Sequence, residues 1–478
     1  MGYFMNNTIS SASLPKMYTY NVEGQRVSVT LTKNPFNIDP QVLYSLAARQ
    51  NKKRGFLFVS KVLGKHVPVD PFIPLLAGSS LAVRFMARIH GVNHADTSSI
   101  VQALKENKDT RKIYEAVISK PRFVLPQETL FIGFAETATG LGQATFSAFD
   151  NAHYLHTTRD QIPLLSPVLD FKEDHSHAVN HRCYPVDPEL LRNPKTIVLV
   201  DDEITTGNTA LNIIRAIHAK FPKKDYVVLS LLDWRTKENR ANYQKLEQLL
   251  DVRIHTISLL EGEIEVSGSS LNERREQGEP RNFGAESDIT EGFSLPIEQK
   301  LLDLKDIISY YSLDSKGNPS LSPYLGLTGR FGLSSRRDRE ILPLAKEIGE
   351  KLKLDRSGKK TLCLGTGEFM YFPMLISAYM GDGIKYHSTT RSPIYPFAKP
   401  DYGIQNRFTF SSPDDEGLDF YLYNIPPNYY DEVYVFLERE VPFARLKPLL
   451  KVFAELKMPR LVFVIGSSIE TSEDRVRI

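Results

Sequence analysis

The chain has 478 residues, room for two or three domains. It is 41% hydrophobic and 24% charged with a net charge of +2, an ordinary globular composition that marks neither a nucleic-acid binder nor a membrane-surface protein. Two cysteines, Cys183 and Cys363, exclude a disulfide framework and an unaided zinc site and suit a reducing cytosol.

The first stretch, residues 1–17, is polar, rich in Ser and Asn, and reads as a flexible N-terminus without the basic-then-apolar order of a signal peptide. No uninterrupted apolar run is long enough to span a bilayer, so the expected compartment is the cytoplasm. Residues 18–261 read as one α/β unit. Strands are expected over Gly55–Ser60, Thr129–Phe134, Thr196–Val200, Tyr226–Leu232 and Val252–Leu260, with helices over Leu75–Ile89 and Ser98–Ile118. That alternation predicts a parallel sheet flanked by helices. Ser60–His66 is basic, either presenting charge to a phosphate or acidic acceptor or forming a solvated turn.

Gly133-Phe134-Ala135-Glu136-Thr137-Ala138-Thr139-Gly140-Leu141-Gly142 follows a strand and precedes an expected helix, Gln143–Ala148. Its small residues let backbone amides approach an anion; an ordinary strand-to-helix turn would use the same residues. The span after it holds His156-Thr157-Thr158-Arg159, then Glu173-Asp174-His175-Ser176-His177, then His181-Arg182. A cation from it, with Arg159, His175, His177 and Arg182 as candidates, could neutralise a departing anion. A solvated loop, or a metal site using His175, His177 and His181, competes with that reading, though His-x-His alone is a poor zinc signature.

The most informative segment is Ile197-Val198-Leu199-Val200-Asp201-Asp202-Glu203-Ile204-Thr205-Thr206-Gly207-Asn208-Thr209. An apolar run sets adjacent carboxylates at a strand's carboxyl end, where open α/β sheets bind ligands. The hydroxyl-rich loop then opens a helix, with Ala210, Ile213, Ile214 and Ile217 on one face and Pro222 beyond it. Backbone amides and hydroxyls there suit one phosphate at a positive helix end. A receiver-domain pocket places such a strand near its own start, and a Walker B strand needs a G-x-x-x-x-G-K-[ST] partner that this sequence lacks. The segment resembles the phosphoribosyl-diphosphate (PRPP) signature of type I phosphoribosyltransferases. The resemblance implies that Asp201 and Asp202 face the ribose hydroxyls and hold Mg²⁺ directly or through water, and that Thr205, Thr206, Gly207, Asn208 and Thr209 take the 5-phosphate. It also implies a pyrophosphate loop at Glu136, Thr137, Ala138, Thr139 and Gly140. Glu203 departs from the usual apolar residue, so it either adds a metal contact or points to solvent. Trp234, at the end of the next strand, either stacks on an acceptor ring or packs in the core.

Residues 262–300 shift to Ser, Gly and charge, and read as a linker or mobile lobe. A second α/β unit spans 301–478, with strands expected over Lys360–Leu364, Glu432–Leu437 and Arg460–Ile465 and a helix over Leu342–Leu354. It reads either as a degenerate copy of the first or as a chance similarity: Glu136 precedes Thr157 by 21 residues, and Glu368 precedes Thr389 by the same 21. Val435-Phe436-Leu437-Glu438-Arg439-Glu440 is a faint counterpart of the aspartate segment, aligning Asp201 with Glu438, with no small-residue cradle after it. Thr390-Arg391-Ser392-Pro393 matches the name-giving motif of the TRSP domain, and Gly329-Arg330-Phe331-Gly332 is similar to another of its segments. That domain follows a phosphoribosyltransferase-like domain in bacterial tellurium-resistance and stress gene clusters. Arg330, Thr390, Arg391 and Ser392, with Trp234, are the candidate acceptor-binding residues; a structural turn is the alternative for the TRSP motif.

These readings predict a Mg²⁺-dependent phosphoribosyltransferase. It would move 5-phosphoribosyl from PRPP to a base-like small-molecule acceptor in a nucleotide-like biosynthetic or stress context, with pyrophosphate released. A PRPP-binding regulator or a scaffold without turnover is the alternative. The partners expected are PRPP and the acceptor, with a second copy or enzymes of the same gene cluster as protein partners, and neither nucleic acid nor membrane.

Overall fold

The structure, a computed structural model, describes residues 16–51, 54–172, 180–276, 296–469 and 476–477. Its larger sheet has eight strands in the order Lys16–Val22, Gln25–Lys33, Arg253–Gly268, Asp225–Asp233, Thr196–Ile204, Phe123–Gly133, Phe149–His156 and Leu333–Ser334. The five strands from Arg253–Gly268 to Phe149–His156 run parallel, and antiparallel pairs close both edges. Ile197 to Val200 lies between two parallel neighbours and is fully buried, which is why it reads as an unbroken apolar run. The second sheet has six parallel strands: Ile384–Ser388, Thr361–Gly365, Glu432–Leu437, Leu461–Ile465, Ile297–Leu301 and Val476–Arg477. The α/β class with two sheets therefore holds. One continuous apolar core reaches from Phe131 and Leu141 of the first unit to Tyr371 and Met374 of the second.

Several expectations need correction. The Phe56–Ser60 strand pairs with Tyr44–Ala48 in a separate two-stranded hairpin, outside the main sheet. The single helix expected over 98–118 is two, Thr97–Glu106 and Thr110–Ile118, broken where Asn107 and Asp109 adopt the left-handed conformation that short amide and carboxyl side chains tolerate. The helix after the Gly-rich turn begins at Ala138, five residues before the expected Gln143. Lys16 and Met17 already belong to the first strand; residues 1–15 lie outside the described set. Residues 262–276 do not leave the fold: the strand from Arg253 continues to Gly268 against Gln25–Lys33, and Asn272 donates to the Arg49 and Asn51 carbonyls. The remainder of the expected linker, 277–295, lies outside the described residues, and Ile297–Leu301 is already a strand of the second sheet.

The helix Phe72–Ile89 is long and apolar enough to cross a bilayer by length and composition. Here most of it is buried, and it packs on the helix Ala138–Phe146.

Candidate functional site

The parallel strands of the first sheet carry Gly133, Asp201 and Asp233 to one edge. At the end of Thr196–Ile204, the Asp202 backbone N–H donates to Asp201 Oδ1 at 2.9 Å, orienting the Asp201 carboxylate. Glu203 does not point to solvent; its side chain is mostly buried and lines the same cavity as the aspartates. Arg54 Nη2 lies 2.7 Å from Glu203 Oε1, with the Arg54 guanidinium over the rings of Phe56 and Phe58. Burial pushes the Glu203 carboxyl up, and Arg54 opposes the rise.

The chain then turns through Thr205 and Thr206 to Gly207, which caps the helix Asn208–Lys220 at φ +76°. A side chain there would also meet the Tyr243 hydroxyl, which donates to the Gly207 carbonyl at 3.0 Å. Ile213, Ile214 and Ile217 seat the helix in the core, so its amino end is a fixed cluster of N–H groups.

A cavity of about 190 Å³ lies over these residues. Asp201, Asp202, Thr205, Thr206, Gly207 and Thr209 line it together with Glu136, Thr137 and Arg159. Arg49, Arg54, Lys65 and His66 add positive or proton-accepting groups. Lys65 Nζ donates to Thr137 Oγ1 and lies 3.9 Å from Glu136 Oε2. His66 is buried with no hydrogen-bond partner on either ring nitrogen among the described residues, and burial, then Lys65, pull its pKa well below the usual value, so it stays neutral. A larger hollow, about 1030 Å³, lies elsewhere between residues 19–23 and 399–406. None of the acids just named lines it.

The predicted residues therefore separate. The aspartates, Thr205, Thr206, Gly207, Thr209, Glu136, Thr137, Arg159 and Ser392 meet at one cavity; Asn208 is not among its lining residues. Ala138, Thr139 and Gly140 are also absent from that wall. They form the first turn of a helix packed on the second unit: Thr139 Oγ1 donates to the Glu368 carbonyl at 3.1 Å, and the Cβ site of Gly140 is 3.2 Å from Met370 Cβ. Trp234 is a core residue, 2% exposed, stacked on Phe58 and edge-on to Tyr44, so it cannot stack on an acceptor. Arg330 is 3% exposed and bound by Glu368, Glu438 and Asp160, which removes it from the acceptor candidates. Thr390 is buried and Arg391 lies on the Phe420 ring; of the TRSP motif only Ser392 reaches the cavity.

His175 and His177 lie outside the described residues. His181 Nδ1 is 2.9 Å from Thr157 Oγ1, and among the described residues no group of three His, Cys, Asp or Glu side chains could enclose a metal. The sequence reading passed over Arg49 and Arg54. Their only signal was the cluster of basic residues between the two hairpin strands.

A phosphoribosyl transferase family model matches residues 43–263, and a model of the TRSP domain, which lies C-terminal to that transferase domain, matches residues 327–453. Three solved adenine phosphoribosyltransferases are similar in structure. The Trypanosoma brucei enzyme, in complex with AMP, pyrophosphate and ribose-5-phosphate, is 11% identical, with 51% of this chain and 86% of that one covered and a TM-score of 0.26. The Giardia lamblia enzyme, complexed with 9-deazaadenine, is 17% identical over 33% of this chain and 83% of its own, with a TM-score of 0.20. The Leishmania donovani enzyme is 16% identical over 33% and 68%, with a TM-score of 0.22. No curated protein matches the sequence.

Proposed function

From a chain that joins a phosphoribosyl transferase domain to a TRSP domain, we propose an enzyme that moves 5-phosphoribosyl from PRPP to a small nucleophilic acceptor and releases pyrophosphate. The observation that carries this reading is convergence. Twin aspartates, a hydroxyl-lined helix start, the Glu136–Thr137 turn and Arg159 line one cavity.

Asp201 and Asp202 accept hydrogen bonds from the ribose hydroxyls, and the Thr205–Thr209 loop binds the 5-phosphate through amides and hydroxyls. Arg159 and Lys65 stabilise charge gathering on pyrophosphate as the glycosidic bond breaks. Fixing ribose and leaving group in line supplies the remaining acceleration without a covalent enzyme intermediate. Leu57 and Phe58 give the cavity an apolar flank for a flat acceptor, beside Arg49 and Arg54.

The donor set fits a hard divalent cation such as Mg²⁺. Asp201 and Asp202 offer oxygen ligands, and Glu136 Oε1 is buried without a partner among the described residues. Bound with the substrate, such an ion would neutralise the leaving pyrophosphate.

Calorimetric titration with PRPP and Mg²⁺ tests the site. Asp201→Asn combined with Asp202→Asn should abolish Mg²⁺-dependent binding, and unchanged affinity would refute the assignment. Pyrophosphate release in a metabolite extract, with new masses one phosphoribosyl group heavier, separates turnover from binding alone.

A further inference from the structure

The unit around Glu136 has a counterpart around Glu368. In each, a strand, a turn ending in Glu, a helix and a second strand follow in order: Phe123–Gly133, Ala138–Phe146 and Phe149–His156 in one; Thr361–Gly365, Tyr371–Ala378 and Ile384–Ser388 in the other. Gly133 lies opposite His156 and Val200; Gly365 lies opposite Ser388 and Phe436. This register makes Glu438 the counterpart of Asp202, one residue away from the sequence alignment with Asp201. Side-chain details repeat as well. Thr157 N–H donates to the Gly133 carbonyl at 2.9 Å, and Thr389 N–H to that of Gly365 at 3.0 Å. Thr157 Oγ1 accepts from Ala135 N–H, and Thr389 Oγ1 from Gly367 N–H, both at 2.9 Å. The Tyr154 and Tyr386 hydroxyls donate to the Thr139 and Met370 carbonyls at 2.7 and 3.0 Å. Generic strand–helix packing does not require such matched polar contacts.

The two units also exchange contacts. Glu136 Oε2 accepts from Thr390 Oγ1 at 2.9 Å and Arg391 N–H at 3.3 Å. Reciprocally, Glu368 accepts from Thr158 Oγ1 at 2.6 Å and Arg159 N–H at 2.8 Å. Each carboxylate thus holds the Thr-Thr-Arg stretch of the other unit.

One difference breaks the symmetry. In the second unit the Arg330 guanidinium joins Glu368 to Glu438, with Glu438 Oε2 at 2.8 Å. The first unit's equivalents, Glu136 and Asp202, line the cavity instead. Burial alone would raise the Glu368 pKa, but Arg330, His156 and the two donors from Thr158 and Arg159 hold it down at about 2, so it stays anionic.

We propose that the C-terminal domain is a built-in partner subunit: its own ligand site is plugged by Arg330, and Glu368 is a positioning residue that sets the Thr158–Arg159 stretch of the working site. What the working site binds rests on the PRPP reading; the hold on Arg159 does not.

The test uses the full chain, with Glu368→Ala, Glu368→Gln and Thr158→Val. Without ligand, hydrogen exchange at the Arg159 amide should rise about tenfold in Glu368→Ala and stay near wild type in Glu368→Gln, which keeps an acceptor. Unchanged exchange in Glu368→Ala overturns the proposal. By calorimetry, wild type should bind one Mg²⁺–PRPP per chain; two would overturn the plug. Affinity for Mg²⁺–pyrophosphate should fall about tenfold in Glu368→Ala and recover in Glu368→Gln. Adding Thr158→Val to Glu368→Ala should weaken it little further. A lower melting temperature with undiminished affinity would show a merely structural bridge and overturn the positioning role. Should Glu368→Ala fail to fold, Thr158→Val carries the test through faster exchange at the Asp160 amide, which donates to Thr158 Oγ1 at 3.1 Å, and about threefold weaker pyrophosphate binding. If wild type binds neither ligand, the PRPP reading fails alone, and the Arg159 exchange result still decides whether Glu368 holds the loop.

Discussion

Gly207→Ala isolates the phosphate loop, because the structure gives each part of its cost. At φ +76° an alanine pays about 1–2 kcal/mol for the left-handed conformation. Its Cβ would also lie 2.4 Å from the Tyr243 hydroxyl oxygen and 2.7 Å from a ring carbon. That ring has little room to retreat: Tyr243 is 4% exposed, and the Arg235 guanidinium lies 4.2 Å from its centroid, itself tied to Asp233 at 2.7 Å. Pushing the hydroxyl away forfeits its bond to the Gly207 carbonyl, about 1 kcal/mol more, so the total is about 2–3 kcal/mol. The helix behind the loop is anchored by fully buried isoleucines, so the cost falls on the loop itself. Thermal denaturation should show a modest loss of stability, and calorimetry should show Mg²⁺–PRPP affinity down at least about tenfold. Adding Tyr243→Ala relieves the clash but not the backbone strain, so affinity should recover only in part. A Gly207→Ala protein that melts lower yet binds PRPP like wild type would refute the placement of the phosphate.

Trp234→Phe should cost about 1–2 kcal/mol through the gap left beside Phe58 and Tyr44, read by urea denaturation, with PRPP affinity unchanged; a selective loss of ligand binding would return Trp234 to the site. His156 tests the pH dependence. Burial, aided by Arg330, lowers its pKa from 6.5 to about 4, so the folded state favours the neutral ring. Its contribution is complete above pH 6.5 and lost as pH falls toward 4, about 3 kcal/mol at about 1.4 kcal/mol per pH unit. Asp338, raised by burial to about 6, works in the opposite direction between pH 6 and 3.8, so the measurement is a difference. The stability gap between wild type and His156→Gln should shrink by that amount from pH 7 to 4, and parallel curves would contradict the assignment.

The aspartate segment was legible because three independent demands coincide in neighbouring residues. A central parallel strand needs an unbroken apolar run, its end carries the acids, and a left-handed cap needs Gly207. Its surroundings were not, because their partners are remote in sequence. Nothing near Glu203 announces Arg54, and nothing near Arg330 announces Glu438. Small residues misled for a physical reason: Ala138, Thr139 and Gly140 suit an anion cradle, yet the same absence of bulk here lets the second unit's helix approach. Trp234 likewise reads alike as a stacking platform and a core filler until its neighbours Phe58 and Tyr44 are known. The one-residue error in matching Asp201 to Glu438 belongs to the same class, since equal spacing in sequence does not reveal which residues strand pairing sets level.

Arg330 alone does not account for the silence of the second site. After its acid-bearing strand the first unit turns through Thr205, Thr206 and Gly207 into a helix whose cap has no side chain. The second passes through Val441 and Pro442 into the helix Phe443–Glu455, and Pro442, at the cap, has no amide hydrogen to give. Without hydroxyls or that donor, a phosphate at the second site would sit close to Glu438 with little to repay its desolvation. The guanidinium of Arg330 then satisfies carboxylates that no ligand and cation could any longer neutralise. The two changes are complementary: the cradle cannot return while Val441 and Pro442 remain, and the acids cannot stay buried without Arg330. Loss of the second site and retention of Glu368 as a cross-domain acceptor are compatible for the same reason, since Arg330 keeps Glu368 anionic and strong as an acceptor for Thr158 and Arg159.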